Sequence, residues 1–380
     1  MHEQVFSNAR IVLADSVISG NLRVKNGHID EICEGQCNIR GAIDLEGDLL
    51  LPGFIELHTD NLDKHMTPRP KTEWPSTSAA IAHDNQIAAS GITTVLDAVA
   101  LGDVHPGSSR LRRLNDMITS ICKAADEKLF RAEHFLHFRC EISYPDLPDT
   151  LEPVIDNPRI RLISVMDHTP GQRQFVSLDA YYTYYQSKYG MSDSEMETFV
   201  IDRKRDQQRY SRKHRQLVVD TARAFNIALA SHDDATKAHV AEAVEDNMSV
   251  AEFPTTHEAA EASHKAGLCV MMGGPNIVRG KSHSGNVSAR ELAEAGYLDV
   301  ISSDYVPHSL LYSAMMLFND FKEISLPHAI RLISKNPAKS IGLNDRGEIA
   351  EGLRADLVHV HHSPHHPVIR GVWSRGRRIA

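Results

Sequence analysis

The chain of 380 residues is long enough to bury one large core or two smaller ones. Its formal net charge of −9 excludes a general nucleic-acid binder, because no broad basic surface is left to face a phosphate backbone. Five scattered cysteines (Cys33, Cys37, Cys122, Cys140, Cys269) lack paired metal spacing and read as reduced thiols. The N-terminus has no basic region followed by an apolar run, and no segment reaches membrane-spanning length. A soluble cytoplasmic protein is therefore expected, with neither nucleic acid nor membrane as a partner; a homo-oligomer is compatible with the sequence.

Taken in order, residues 1–50 read as short strands such as Arg10-Ile11-Val12-Leu13, punctuated by turn signals like Lys25-Asn26-Gly27. From Leu49 the rhythm changes to alternating strands and helices. Strands are predicted over 49–58, 92–101, 133–142, 160–166, 227–231, 249–253, 268–272 and 299–303, with helices over 76–90, 109–129, 149–156, 236–245, 257–266, 288–295 and 327–335. Residues 178–216 are rich in Tyr, Gln, Lys and Arg and interrupt the rhythm as a polar, mostly exposed helical insertion. A further helical stretch, 214–224, leads into the fifth strand. After Gly342 short strands return, as in Asp356-Leu357-Val358-His359-Val360. Eight strands, each followed by helix, predict an α/β fold of the (β/α)₈ TIM-barrel type over 51–342. Residues 1–50 and 343–380 are too poor in apolar sequence for two domains and are paired into one small β-sandwich.

In such a barrel, the C-terminal ends of the strands share one mouth. Those ends carry His58 and Asp60, Asp97, Glu141, Asp167 and His168, His232 and Asp233, Glu252, and Asp304. Alternation along a strand lets His58 and Asp60 point at one atom, and imidazole with carboxylate suits a divalent metal, zinc ahead of manganese. More than four mixed nitrogen and oxygen candidates favour two ions over one, with Glu141 as the natural bridging carboxylate. A water held between two ions would be hydroxide near neutral pH, and Asp304 could both ligate and take its proton as general base. The loops at the same mouth supply cations: Lys64, His65, Arg69 and Lys71 after strand one, Arg173 after strand four, Lys237 after strand five. Arg279, Lys281 and His283 follow strand seven, in a loop opened by Gly273-Gly274 that lets backbone N–H groups approach an anion. Together they suggest a polyphosphate or phosphonate ligand.

Several stretches resemble the amidohydrolase superfamily over nearly the whole chain. They are Pro52-Gly53-Phe54-Ile55-Glu56-Leu57-His58, Thr93-Thr94-Val95, and the tail Gly347-Glu348-Ile349-Ala350-Glu351-Gly352-Leu353-Arg354-Ala355-Asp356. Two longer motifs, His58-Thr59-Asp60-Asn61-Leu62-Asp63-Lys64-His65 and Met166-Asp167-His168-Thr169-Pro170-Gly171-Gln172-Arg173, resemble its phosphonate-catabolism branch. That branch is the α-D-ribose 1-methylphosphonate 5-triphosphate diphosphatases, which act ahead of carbon–phosphorus bond cleavage. The resemblance implies hydrolysis of the α–β phosphoanhydride of a small phosphorylated ribose phosphonate, with release of pyrophosphate. It also implies metal-site roles for His58, Asp60, Glu141, His168, His232 and Asp304. His58-Thr59-Asp60 replaces the commoner His-x-His, and the later histidines fall on strands four and five where the superfamily usually supplies them from five and six. His168 is accordingly open to either metal or substrate. The competing readings are an amide or cyclic-amide hydrolase or deaminase of the same superfamily, and a non-catalytic phosphonate-binding subunit.

Overall fold

Gly53 cuts the apolar run that starts at Leu49 into two strands that join different sheets. The computed structural model describes residues 3–380 except Asn38, Pro70, Val104, 106–108, 174–180, 183–184, 187–188, 281–284 and 364–365. Its N-terminal strands are β1 (Glu3–Val12), β2 (Val17–Lys25), β3 (His28–Glu34), β4 (Ile43–Asp44) and β5 (Leu49–Pro52). Eight more follow: β6 (Phe54–Thr59), β7 (Ile92–Leu101), β8 (Glu133–Glu141), β9 (Ile160–Met166), β10 (Ala228–His232), β11 (Val250–Glu252), β12 (Cys269–Gly273) and β13 (Val300–Ser302). The chain ends with β14 (Leu357–His362), β15 (Pro367–Ser374) and β16 (Arg377–Arg378).

Strands β6 to β13 pair in parallel, each with its sequence neighbour, as the strand count predicts. The seam between β13 and β6 is drawn together by an isolated bridge between Thr59 and Asp304. Thr59 Oγ1 and the Asp60 amide both donate to the Asp304 carbonyl, at 2.7 and 3.2 Å. The terminal strands form one continuous mixed sheet in the order β16-β15-β14-β5-β1-β2-β3, with β4 alongside β1. The predicted small sandwich thus takes the form of a single sheet around its own apolar cluster, which includes Phe6, Ile11, Leu22, Leu50, Leu357 and Trp373.

At Gly53 the backbone N–H reaches the Asp356 carbonyl at 2.8 Å, tying β5 and β6 to the C-terminal strands. A Cβ added there would lie 2.3 Å from Thr93 Oγ1 and 2.9 Å from Asp356 Cβ. Thr93 is β-branched and fully packed, so it has little room to yield. Gly53→Ala is expected to cost about 1–3 kcal/mol by overpacking, read as a lower urea midpoint with unchanged slope. A midpoint equal to wild type would mean the two sheets can part at no cost.

Two expectations need correction. Residues 193–216 of the insertion and the stretch after them form one helix, Asp193–Ala224, started by a reciprocal capping box between Ser192 and Glu195. It is not mostly exposed on every side: Met196, Phe199, Val200, Val218, Val219 and Ala222 make a buried stripe, and Tyr181 and Tyr185 pack with the first three. The Gly273-Gly274 stretch is not an open anion loop either. Gly274 begins the helix Gly274–Arg279, and its missing side chain allows close approach to Ser309, whose Oγ would lie 2.8 Å from a Cβ. Ser309 opens a further helix, Ser309–Asp320, which the sequence pattern did not reveal because its apolar residues are not confined to one face.

Candidate metal centre

The barrel floor is apolar: Ile55, Leu57, Leu96, Phe135, Leu162, Val250, Met271 and Val300 fill it. Above it the inward positions turn polar. On β8 the side chains alternate, so the face that carries Phe135 continues through His137, Arg139 and Glu141 toward the mouth. On β6 simple alternation fails. Glu56 pairs with Val95 but Thr59 with Asp97, so three steps along β6 match two along β7. This bulge, closed by the His58 amide donating to Glu56 Oε1 at 2.7 Å, turns His58 into the barrel beside Leu57.

Four groups of ligand-type side chains converge among the described residues, and two of them carry Asp60 with Asp304, and Asp233, respectively. In the first, atoms of His58, Asp60 and Asp304 all lie within 4.8 Å of one another, with His58 Nε2 3.9 Å from Asp60 Oδ1. Asp60 precedes the helix Asn61–Met66 without a side-chain capping bond, and Arg139 Nη1 lies 3.1 Å from both its carboxylate oxygens. In the second group, Asp233 Oδ2 lies 3.4 Å from His232 Nε2 and 3.8 Å from His168 Nε2. Asp233 Oδ2 is buried and, among the described residues, accepts no hydrogen bond. A buried carboxylate oxygen without a donor, aimed between two imidazole nitrogens, is what a divalent cation would satisfy. The residues present fit a divalent metal centre.

The histidines are oriented from behind. Glu252 Oε1 accepts from His58 Nδ1 at 2.6 Å and Oε2 from His232 Nδ1 at 2.5 Å. Burial pulls the His58 imidazole down, but the Glu252 carboxylate outweighs that and leaves it above its ordinary value. Burial takes His137 down to about 3, so it stays neutral. Phe253 follows Glu252 in a left-handed conformation (φ 54°), uncommon for an aromatic residue. It presses edge-on against both rings, its centroid 5.1 Å from His58 and 5.7 Å from His232. Asp233 and Asp304 share the left-handed conformation at φ 56° and 53°, which Asp tolerates more readily.

Several predicted residues fall elsewhere. Glu141, expected as a bridge, is outside both groups: its oxygens accept from His168 Nδ1 (2.7 Å), Ser143 Oγ (2.6 Å) and the His168 amide (3.3 Å). Asp97 faces away from the mouth and receives His83 Nε2 and His134 Nδ1, each at 2.7 Å, behind the barrel wall. Arg173 is not open to an anion, because it is buried against Asp234 and lies 3.3 Å from Glu242. Lys237 is largely exposed, 3.5 Å from Glu258. Lys64 donates to the Tyr305 carbonyl, next to Asp304, with Arg69, Lys71 and Arg279 exposed and His65 half-buried against Gln86. Lys281 and His283 lie outside the described residues. Asp233 and Glu252 stood among the strand ends but were not carried forward as site residues. Arg139 and His137 were missed, although both sit on the inward face of β8.

A family model described as the amidohydrolase family matches residues 209–380. The chain is 50% identical to the α-D-ribose 1-methylphosphonate 5-triphosphate diphosphatase of Escherichia coli (strain K12), over 99% of this chain and 100% of that one. Among solved structures, N-acetylglucosamine-6-phosphate deacetylase from Pasteurella multocida is similar at TM-score 0.62 and 15% identity, covering 99% of both chains. A 5-methylcytosine deaminase from Klebsiella pneumoniae gives TM-score 0.63 at 15% identity, over 100% of this chain and 97% of that one. These two likenesses establish the shared fold. The chain belongs to the amidohydrolase family, within the group of the α-D-ribose 1-methylphosphonate 5-triphosphate diphosphatases.

Proposed function

We propose that the protein hydrolyses the α–β phosphoanhydride of α-D-ribose 1-methylphosphonate 5-triphosphate, releasing pyrophosphate and leaving the 5-phosphate, in the cytoplasm. The full-length likeness to the E. coli diphosphatase supports this reading, and the two N/O ligand groups at one mouth carry its chemistry. In this reading the barrel, 51–342, holds the centre, and the composite β unit of 1–50 with 343–380 braces it. His58, Asp60 and Asp304 would hold one divalent ion and His168, His232 and Asp233 a second, zinc suiting these donors ahead of manganese. Such ions supply Lewis-acid stabilisation of phosphoryl oxygens and a water acidic enough to attack near neutral pH.

The chain's own residues supply the rest. Asp304 takes the proton from the attacking water. Arg139 fixes Asp60 through two 3.1 Å contacts and adds a buried positive charge beside the ligand groups. Glu141 holds His168 through Nδ1, which keeps Nε2 turned toward Asp233. Lys64, His65, Arg69, Lys71 and Arg279 receive the outer phosphates, with Lys281 and His283, which follow Arg279 closely in sequence, assigned the same task. Incubating the zinc-loaded protein with ribose 5-triphosphate esters and following ³¹P NMR is expected to show pyrophosphate. ¹⁸O from solvent should appear in the ribose 5-phosphate if the α-phosphorus is attacked. Release of ammonia or carboxylate from amide substrates, with no pyrophosphate from any ester, would overturn the proposal.

A further inference from the structure

We infer that Glu252 is a positioning residue shared by the two ligand groups, a single carboxylate that sets the tautomer of one histidine in each. The inference rests on the metal-centre reading above. Glu252 ends β11 and is 1% exposed. Its two oxygens divide their work: Oε1 faces His58 Nδ1 at 2.6 Å and Oε2 faces His232 Nδ1 at 2.5 Å. Ionised carboxylate oxygens only accept, so each Nδ1 must carry a proton. Each neutral imidazole then has its lone pair on Nε2, the nitrogen that faces Asp60 in one group and Asp233 in the other. The two rings stand nearly parallel, 19° apart with centroids at 6.3 Å, as two rings hung from one anchor would.

An alternative places a cation among His58, His137 and Glu252, whose ligand atoms also converge. There, however, Glu252 already accepts from His58 and His232, and His137 Nδ1 donates to the Leu57 carbonyl at 2.9 Å, with Ser164 Oγ in reach of Glu252 Oε2 at 2.7 Å and of His137 Nε2 at 2.5 Å. Both Glu252 oxygens thus already have an N–H donor, in contrast to Asp233 Oδ2. Phe253 adds a second constraint from the adjacent position, pressing on both rings while held in its strained left-handed backbone. Residues 252 and 253 therefore fix both imidazoles, one by hydrogen bonds and the other by shape.

Glu252→Gln tests this directly. An amide offers one neutral acceptor oxygen in place of two charged ones, so one Nδ1–H group loses its partner and the other keeps only a weaker, uncharged hydrogen bond. Because a hydrogen-bond partner behind a ligating histidine is commonly worth 10–100-fold in metal affinity, both zinc positions are expected to weaken by that factor together. Chelator competition with zinc measures this, and His168→Ala, which touches one group, should weaken one position only. Weakening of a single position in Glu252→Gln, or of neither, would overturn the inference. If that variant does not fold, long-range ¹H–¹⁵N NMR of zinc-loaded wild type decides. His58 and His232 must both show Nδ1–H, and an Nε2–H tautomer at either one sinks the proposal. These readouts need no phosphate ester, so failure to release pyrophosphate would leave them intact. A wild-type protein that binds no zinc would overturn both readings.

Discussion

Asp304→Asn is expected to lower kcat by about 10³-fold while zinc content at saturation and the unfolding midpoint stay close to wild type. The substitution is chosen for what it preserves. Asp304 sits at φ 53°, and asparagine is at home there, so the backbone need not move. The carbonyl that receives Thr59 Oγ1 and the Asp60 amide belongs to the main chain and is untouched, which keeps the barrel seam closed. An amide oxygen can still face His58 and Asp60 as a neutral donor. What disappears is a group able to accept a proton from water, and general-base catalysis is typically worth 10²–10⁴-fold. The loss should therefore fall on kcat with little change in KM. A variant that keeps more than a tenth of wild-type kcat would remove Asp304 as the base and leave it a ligand only.

The barrel was legible because its signal is local. Eight β-branched or apolar runs, separated by amphipathic stretches, state their own period, and the observed strands fall within a few residues of the predicted ones. The mouth was legible for the same reason, since a strand's last residues are read directly from where its apolar run stops. Local pattern cannot say which partner a long side chain chooses across the fold. Arg173 and Lys237 have the right charge in the right loops, yet Arg173 is taken up by Asp234 and Lys237 lies beside Glu258. Nor does it show a bulge. His58 and Asp60 were paired by alternation, whereas one extra residue in β6 aims His58 inward. Asp233 had the signal of a strand end but no pattern to separate it from a turn aspartate. Its buried oxygen without a donor is visible only in three dimensions.

The polar cluster behind β7 carries the second large effect, and it concerns stability. Asp97 is 1% exposed and receives His83 and His134, while His134 Nε2 reaches Asp84 at 3.2 Å. Asp84 is in turn held by the Arg131 and Ala132 amides, so donors and acceptors are matched throughout. Burial opposes the charge on His134, but Asp97 and Asp84 outweigh it and push the imidazole up to about 9. The same contacts, against the cost of burial, hold Asp97 well below the usual carboxylate range. Asp97→Asn leaves a buried imidazolium facing an amide that can accept from only one of the two histidines. Breaking one side of a buried pair costs roughly 3–5 kcal/mol, and urea unfolding of the variant at pH 6 should show a loss of that size. The sign of the pH dependence follows from the two shifts. A raised histidine contributes fully below its unfolded value of 6.5, and that contribution is lost as pH climbs through about 9. A depressed aspartate contributes above its unfolded value of 3.8 and loses that contribution as pH falls. The gap between wild type and variant is thus widest between roughly pH 4 and 6.5 and narrows on either side. A gap under about 1 kcal/mol at pH 6, or one that does not change between pH 6 and 9.5, would show that Asp97 and His134 are not a charged pair.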